Sequence, residues 1–388
     1  MESRDDMVVK YFSLGLQQRE IITMLESVHN IIISPRNLKR ILKKNNSYGR
    51  RNFSNPNTVA AFIESQLSGS GQMHGYRWMH LKCIQHGLVV TQETVRELLK
   101  LLDPTGVDIR KRKRLRRRQY VSKGPNYVWH VDSYDKLKPY GICINGAIDG
   151  FSRNIMWLKA GRTSSDPKVI AGYYVRAVKS LGGCPQTVRS DMGTENGTME
   201  RIQTALKSFF EMKESQKPAF LYGRSTANQR IESWWCILRK QNVQYWINLF
   251  QTLKEEGLFN GTFVDKSLIQ FCFMTLIQDE LDQVVGEWNS HRIRSSRNSI
   301  SPTGRPIIMF EAPYLYHCEN CLVDIPAAVI ENLEQECTFH TNQCDEDMKT
   351  LCEELILENN FSCSFSDPYE ASQMYIKLKE KVYEIIED

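Results

Sequence analysis

Apolar positions between residues 7 and 25 recur at helical spacing: Val8, Val9, Tyr11, Phe12 and Leu14, then Ile21, Ile22 and Leu25, with Gly15 at the break. Ile31-Ile32-Ile33 leads to Ser34-Pro35, an N-cap followed by proline at the first helical position. A basic run follows, Asn37-Leu38-Lys39-Arg40-Ile41-Leu42-Lys43-Lys44. Helices joined by turns, with a basic last helix, predict a helix-turn-helix over residues 1–50 whose final helix enters a major groove. A generic helical hairpin would show the same spacing.

A second unit of this kind is predicted over residues 55–105. Asn55-Pro56-Asn57 opens it, Gly75–Lys82 and Gly87–Val90 follow, and Thr91 caps Gln92–Leu99. Asp103-Pro104-Thr105-Gly106 reads as a turn. Two consecutive candidates strengthen each other, and no longer fixed-period repeat is present.

The texture changes at Asn126. Short apolar runs at Tyr127–Val131, Ile142–Ile148 and Ile155–Ala160 predict antiparallel strands, with a hairpin turn at Asp149–Arg153. Residues 166–181 read as an amphipathic helix, Gln186–Arg189 as a short strand ending at Ser190-Asp191, and residues 198–212 as another helix. Such an order gives an α/β domain on a mixed sheet over residues 121–295, and residues 296–388 read as a mainly helical, acidic tail.

Composition adds two points. An apolar share of 41% over 388 residues supplies sizeable packed cores and two or three domains. No apolar run reaches membrane-spanning length and the first residues lack a secretory pattern, so an intracellular protein with no membrane partner is expected. The 11 cysteines are scattered, which suits free buried thiols better than a disulfide framework.

Charge changes the picture more once it is divided along the chain. The net value is +5, but residues 1–120 hold 22 Lys/Arg against 10 Asp/Glu, whereas residues 301–388 hold 5 against 18. Within a linker at residues 106–120, the block Arg110, Lys111, Arg112, Lys113, Arg114, Leu115, Arg116, Arg117 and Arg118 carries eight cations in nine positions. It would repel itself unless a polyanion bound it, and it suits a DNA-backbone clamp, a nuclear-import signal or both. A solvated linker is the plainer alternative.

Three carboxylates stand in distinctive settings: Asp132 in Trp129-His130-Val131-Asp132, Asp191 in Ser190-Asp191-Met192-Gly193-Thr194-Glu195, and Glu232 in Asn228-Gln229-Arg230-Ile231-Glu232. Mg²⁺, or Mn²⁺, takes oxygen ligands, and a two-ion site needs carboxylates brought together from separate segments. Asp132 is placed at the end of the first strand, Asp191 at the end of a later one and Glu232 on a helix. Ordinary surface carboxylates are the competing reading, and Asp135, Asp149 and Glu195 lie near enough to compete for the role.

On these residues the chain resembles the DDE superfamily of retroviral integrases and related transposases. The resemblance covers roughly residues 120–295: the Ser-Asp-x-Gly-x-Glu motif at Ser190–Glu195, the Asn-x-x-x-Glu pattern from Asn228 to Glu232, and Asp149–Arg153 between the first two acids. It implies a ribonuclease-H-like fold, Asp132, Asp191 and Glu232 as catalytic metal ligands, and Mg²⁺-dependent cleavage and transfer of DNA strands by a multimer. Asp132 would be shared between two ions, with Asp191 and Glu232 each holding one. The spacing from Asp191 to Glu232 is somewhat long for the family, the excess falling around Met212–Gly223. More weakly, Gly75–Leu99 resembles a helix-turn-helix of insertion-sequence transposases and Trp288–Arg292 a segment closing their catalytic domain. The whole chain is similar to integrase-core-domain proteins of animal genomes.

Smaller signals remain. Arg230, Arg239 and Lys240 lie near the third acid, and helical spacing puts Trp235, Cys236 and Arg239 on the face of Glu232, making Arg239 the candidate phosphate contact; an ordinary surface ion pair competes. Trp234 and Trp235 suit base stacking or the core, with at least one in the core. Cys318, Cys321, Cys337 and His340 have zinc-ribbon-like spacing, but an amphipathic helix between the pairs and the abundance of cysteine argue against zinc. Retroviral integrases bind zinc at the other end of their chain, so that site does not transfer. The acidic tail suggests a partner module or a segment folding back on the basic N-terminus.

The expected protein is therefore α/β, with a ribonuclease-H-like core, N-terminal helix-turn-helix units and a mainly helical C-terminal tail. It would be a nuclear DNA-binding integrase or transposase, homo-oligomeric on DNA. A noncatalytic DNA-binding protein retaining the core is the alternative. A ribonuclease H or other nuclease of this fold suits the acids but not the upstream helical units.

Overall fold

The computed structural model describes residues 3–47, 49, 51–110, 122–209, 218–223, 228–295, 302–339, 344–361 and 367–387. Three helices open the chain: α1 (Arg4–Ser13), α2 (Gln18–His29) and α3 (Pro35–Lys44). Ser34 caps α3 by accepting from the Asn37 amide at 3.2 Å. Val8, Ile21, Leu25, Leu38 and Ile41 form their shared core.

The next four helices are α4 (Pro56–Leu67), α5 (Tyr76–Gln85), α6 (Gln92–Leu102) and α7 (Pro104–Arg110). Val59, Ile63, Met79, Val95 and Leu99 close their core. Residues 103–106, expected as a turn, instead start α7. Asp103 accepts from the Gly106 amide at 2.9 Å and Pro104 stands in the first turn, so the acid and proline act as a helix start.

The central segment comprises β1 (Trp129–Tyr134), β2 (Cys143–Asp149), β3 (Ile155–Gly161), α8 (Pro167–Leu181), β4 (Gly183–Cys184), β5 (Val188–Ser190), α9 (Gly197–Phe209), β6 (Phe220–Tyr222), α10 (Gln229–Leu238), α11 (Gln244–Glu255) and α12 (Phe263–Ser290). Among the described residues the main sheet has five strands in the order β3-β2-β1-β5-β6. β1 to β3 are antiparallel, and β5 and β6 run parallel to β1. It is a mixed α/β core.

Alternation along β1 divides its side chains between two faces. Trp129 and Val131 pack with α8 and α9, while Tyr134 faces the larger cluster built with α10, α11 and α12. β1 also extends three residues past Val131, so Asp132 is an interior strand residue rather than its last. Asp132 and Ser133 break the apolar run, yet the strand continues through them to Tyr134.

The C-terminal part contains α13 (Pro306–Glu311), β7 (Val323–Asp324), α14 (Ala327–Glu334), α15 (Glu346–Glu358) and α16 (Pro368–Glu387). β7 pairs with β4, and α15 and α16 supply Cys352, Tyr375, Leu378 and Val382 to the α12 core. Lys379 binds Asp265 of α12 at 2.7 Å. α15 and α16 are thus docked on the core by their apolar faces, whereas α13 and its neighbours reach the first helices, through Ile308 and a Ser27–Tyr314 hydroxyl contact among others.

Two polar bolts join the N-terminal units to the core. Arg305 contacts Glu20 at 2.6 Å, the Gly15 carbonyl at 2.5 Å and the Ser290 carbonyl. Glu287 of α12 pairs with Lys82 at 3.6 Å and accepts from the Trp78 indole. Both pairs are largely shielded from water, where leaving one partner unmatched is costly.

Candidate active site

Asp132 and Asp191 reach one end of the sheet because β1 and β5 are parallel neighbours. Asp191 follows the last residue of β5, whereas Asp132 is the fourth residue of β1. The third acid arrives on α10. Asn228, just before that helix, accepts from His130 Nδ1 at 2.7 Å and gives its amide to the Val131 carbonyl at 2.8 Å, which fastens the helix start across β1. Arg230 adds a bond to the Gly150 carbonyl at 2.9 Å. Glu232 lies one turn after Asn228, near enough for its charge to act on Asp132.

Burial and neighbouring negative charge act on Asp132 and Glu232. Burial, then the charges of Asp191 and Glu232, push the Asp132 carboxyl up to about 7, against the opposing pull of a hydrogen bond from Trp235. Burial and Asp191 likewise raise Glu232. The Trp235 indole donates to Asp132 Oδ2 at 2.7 Å.

Gly146 makes room for that contact. It lies opposite Asp132 on β2, and a Cβ there would come within 2.8 Å of the Trp235 ring. Gly146 and Trp235 therefore orient Asp132. A glycine inside the predicted strand Ile142–Ile148 was the available sign of a close approach.

The competing acids are engaged elsewhere. Asp149 is fully buried and accepts from the Asn126, Phe151 and Ser152 amides and the Ser152 hydroxyl, anchoring the β2–β3 turn. Asp135 is exposed and pairs with Lys138 at 3.0 Å. Glu195 accepts from the Asn196 side chain at 3.1 Å and sits close enough to Lys138 to act on it electrostatically.

Trp234 and Trp235 are both buried, so neither offers a face for base stacking. Arg239 is exposed within a π-helical turn, Arg239–Val243, between α10 and α11; its Nε donates to Gln244 at 2.9 Å and its charge acts on Tyr134. Arg230 points back to Gly150 and Lys240 is exposed. Met192, beside Asp191, is 83% exposed and puts an apolar side chain next to the acid, a feature that charge patterning does not signal.

Arg110 ends α7, while Lys111, Arg112, Lys113, Arg114, Arg116, Arg117 and Arg118 lie outside the described residues, as does most of the expected long loop before Phe220. The end of that stretch, Phe220–Tyr222, is the edge strand β6. Cys318 and Cys321 are neighbours, Cys337 packs with the α8 cluster and directs its thiol to the Leu333 carbonyl, and His340 lies outside the described residues.

Among the described residues no three His, Cys, Asp or Glu side chains converge closely enough to hold a metal ion. The chemistry of Asp132, Asp191 and Glu232 nevertheless fits Mg²⁺ or Mn²⁺, because all three are oxygen donors and a cation would offset the burial and like charge that raise Asp132 and Glu232.

The chain matches no curated protein. A family model, Integrase core domain, matches residues 119–311, a span holding the whole five-stranded sheet, α12 and all three carboxylates. This central segment is similar to an integrase core.

Proposed function

We propose that this protein is a DNA-binding polynucleotidyl transferase of the DDE type, with a ribonuclease-H-like core, that cleaves DNA and joins the cut strand to a second site. The observation carrying this reading is the placement of Asp132 on β1, Asp191 directly after the parallel neighbour β5, and Glu232 on α10, all within the integrase-core match.

Asp132 would be the shared ligand of two divalent cations, with Asp191 and Glu232 holding one each. Such ions, when bound, activate a water or 3′-hydroxyl and stabilise the leaving oxygen and the phosphorus centre. The Trp235 indole keeps the Asp132 carboxylate oriented, and the Asn228 clamp holds Glu232 at the strand. Arg239 is the proposed phosphate contact.

Upstream, the first three helices suit a helix-turn-helix. Arg36, Lys39, Arg40, Lys43 and Lys44 of α3 are all exposed, and Lys44 has an Asp5 partner at 3.7 Å. In the second unit, by contrast, Arg96 and Lys100 of α6 pair with Glu93 and Glu97. α3 is therefore the proposed DNA-reading helix, while α5 of the second unit ties it to the core through Lys82 and Trp78. The basic block at residues 110–118 would clamp the backbone and direct the protein to the nucleus, and homo-oligomers would assemble on DNA.

A strand-transfer assay on duplex ends with Mg²⁺ tests the reading, comparing the wild type with Asp191→Asn. Activity in the wild type and its loss in the variant are expected; equal activity would refute it. The second reading is a noncatalytic DNA-binding protein, favoured by the lack of a converged donor cage among the described residues. DNA binding with no activity in either protein would select it.

A further inference from the structure

A cavity of about 450 Å³ opens where the β1–β2 connection, the segment after β3 and the first two turns of α12 meet. Lys138, Arg162 and Lys266 line it together with the hydroxyl residues Thr163, Ser164 and Ser165. Asp345 is the only carboxylate among the lining residues. Asp265, one residue before Lys266, is turned into the core and bound to Lys379.

The walls are built rather than loose. Gln270 donates to the Gly141 carbonyl at 2.7 Å, and a Cβ at Gly141 would come within 2.9 Å of Lys266 Cβ, so the loop is pressed onto α12. Arg162 Nη1 donates to the Cys344 carbonyl at 2.9 Å, which fixes the guanidinium at the rim. Lys138 reaches both Asp135 at 3.0 Å and the Ser164 hydroxyl at 3.3 Å. Lys266 has no ion-pair partner among the described residues.

We propose that this cavity binds a phosphate group. Lys138, Arg162 and Lys266 outnumber the Asp345 carboxylate and the Asp135 that pairs with Lys138, which leaves net positive charge in a concave site, and hydroxyls beside a guanidinium offer the donors that phosphate oxygens accept. The volume falls in the range of small-ligand sites, about 300–1,000 Å³, so it takes a group larger than a single inorganic phosphate.

The phosphate has two possible sources: a free phosphorylated molecule or the backbone of bound DNA. The cavity lies within the segment matched by the integrase-core model apart from Asp345, so a nucleic acid bound to that segment is one source of the phosphate. The DNA source rests on the function proposed above; the small-molecule source does not.

Calorimetric titration of the full chain with inorganic pyrophosphate, in buffer free of divalent cations, tests the proposal. Saturable one-site binding is expected, weakened about tenfold or more by Lys266→Glu. Lys266→Gln, which keeps the apolar stem, provides the same comparison should the charge reversal lower the melting temperature. Absence of saturable binding, or equal binding by wild type and both variants, would overturn the proposal.

Competition with duplex DNA separates the sources. Displacement of pyrophosphate, with a loss of about one unit in the salt dependence of DNA binding by Lys266→Glu, assigns the site to the backbone. Pyrophosphate binding that duplex DNA leaves unchanged assigns it to a free ligand. Retained pyrophosphate binding in a protein without strand transfer would count against the catalytic function alone, whereas strand transfer without pyrophosphate binding would count against the cavity alone.

Discussion

Trp235 and Asp132, separated by 103 residues in sequence, meet through an indole N–H bond of 2.7 Å to the carboxylate. The contact exists because Gly146, across the strand from Asp132, leaves the ring its space. It joins α10, which carries Glu232, to the strand that carries Asp132, and it opposes the burial and charge repulsion that favour a protonated Asp132.

A pH dependence of stability follows. Asp132 has a folded-state value of about 7 against an ordinary 3.8, and Glu232 is raised as well. A raised carboxyl favours the protonated native state, so its stabilising contribution is complete below the unfolded value and is lost as pH climbs through the folded one. The melting temperature in EDTA should therefore fall as pH rises from about 4 to about 7 and level off above. Asp132→Asn should flatten this fall, and Trp235→Phe should move its midpoint upward. Mg²⁺ should restore stability at the upper end. Identical profiles for wild type and Asp132→Asn would contradict the assignment.

Asn228→Ala removes the bond to His130 and the partner of the Val131 carbonyl beneath α10. Denaturant unfolding should show a loss of about 1–3 kcal/mol, the range for stranding a buried polar group. Strand transfer should fall much further than stability accounts for, since Glu232 rides on the released helix, while DNA affinity stays at the wild-type level. Parallel losses of DNA affinity and activity would contradict a role confined to positioning the acid.

The two N-terminal units should respond differently to loss of positive charge. Lys39→Glu with Lys43→Glu removes two exposed cations on one face of α3 and should lower the salt dependence of DNA binding by about two units, with a matching loss of affinity. Arg96→Gln with Lys100→Gln on α6, where Glu93 and Glu97 already balance those charges, should change little. A filter-binding salt series would decide, and equal effects from both pairs would remove the distinction between the units.

Much of the local structure was legible in the chain. Ser34, Thr91 and Asp166 each cap a helix where an N-cap residue precedes an amphipathic run. These features depend on residues within one helical turn, so side-chain type and order suffice to specify them. The turn expected at residues 103–106 failed at this same scale, because Asp-Pro signals both a turn and a helix start.

The sequence by itself determined the capped helices, the alternating strands, the uneven charge and the three carboxylates in their local settings. Only tertiary structure decided which acids share a sheet end, that Asp149 serves a turn, that Trp234 and Trp235 are both buried, and that the last helices seal α12. The division has a physical cause. Caps and periodicity arise from neighbours along the chain, whereas the environment of a carboxylate is set by strands and helices that lie tens to hundreds of residues away and meet only when their apolar faces pack.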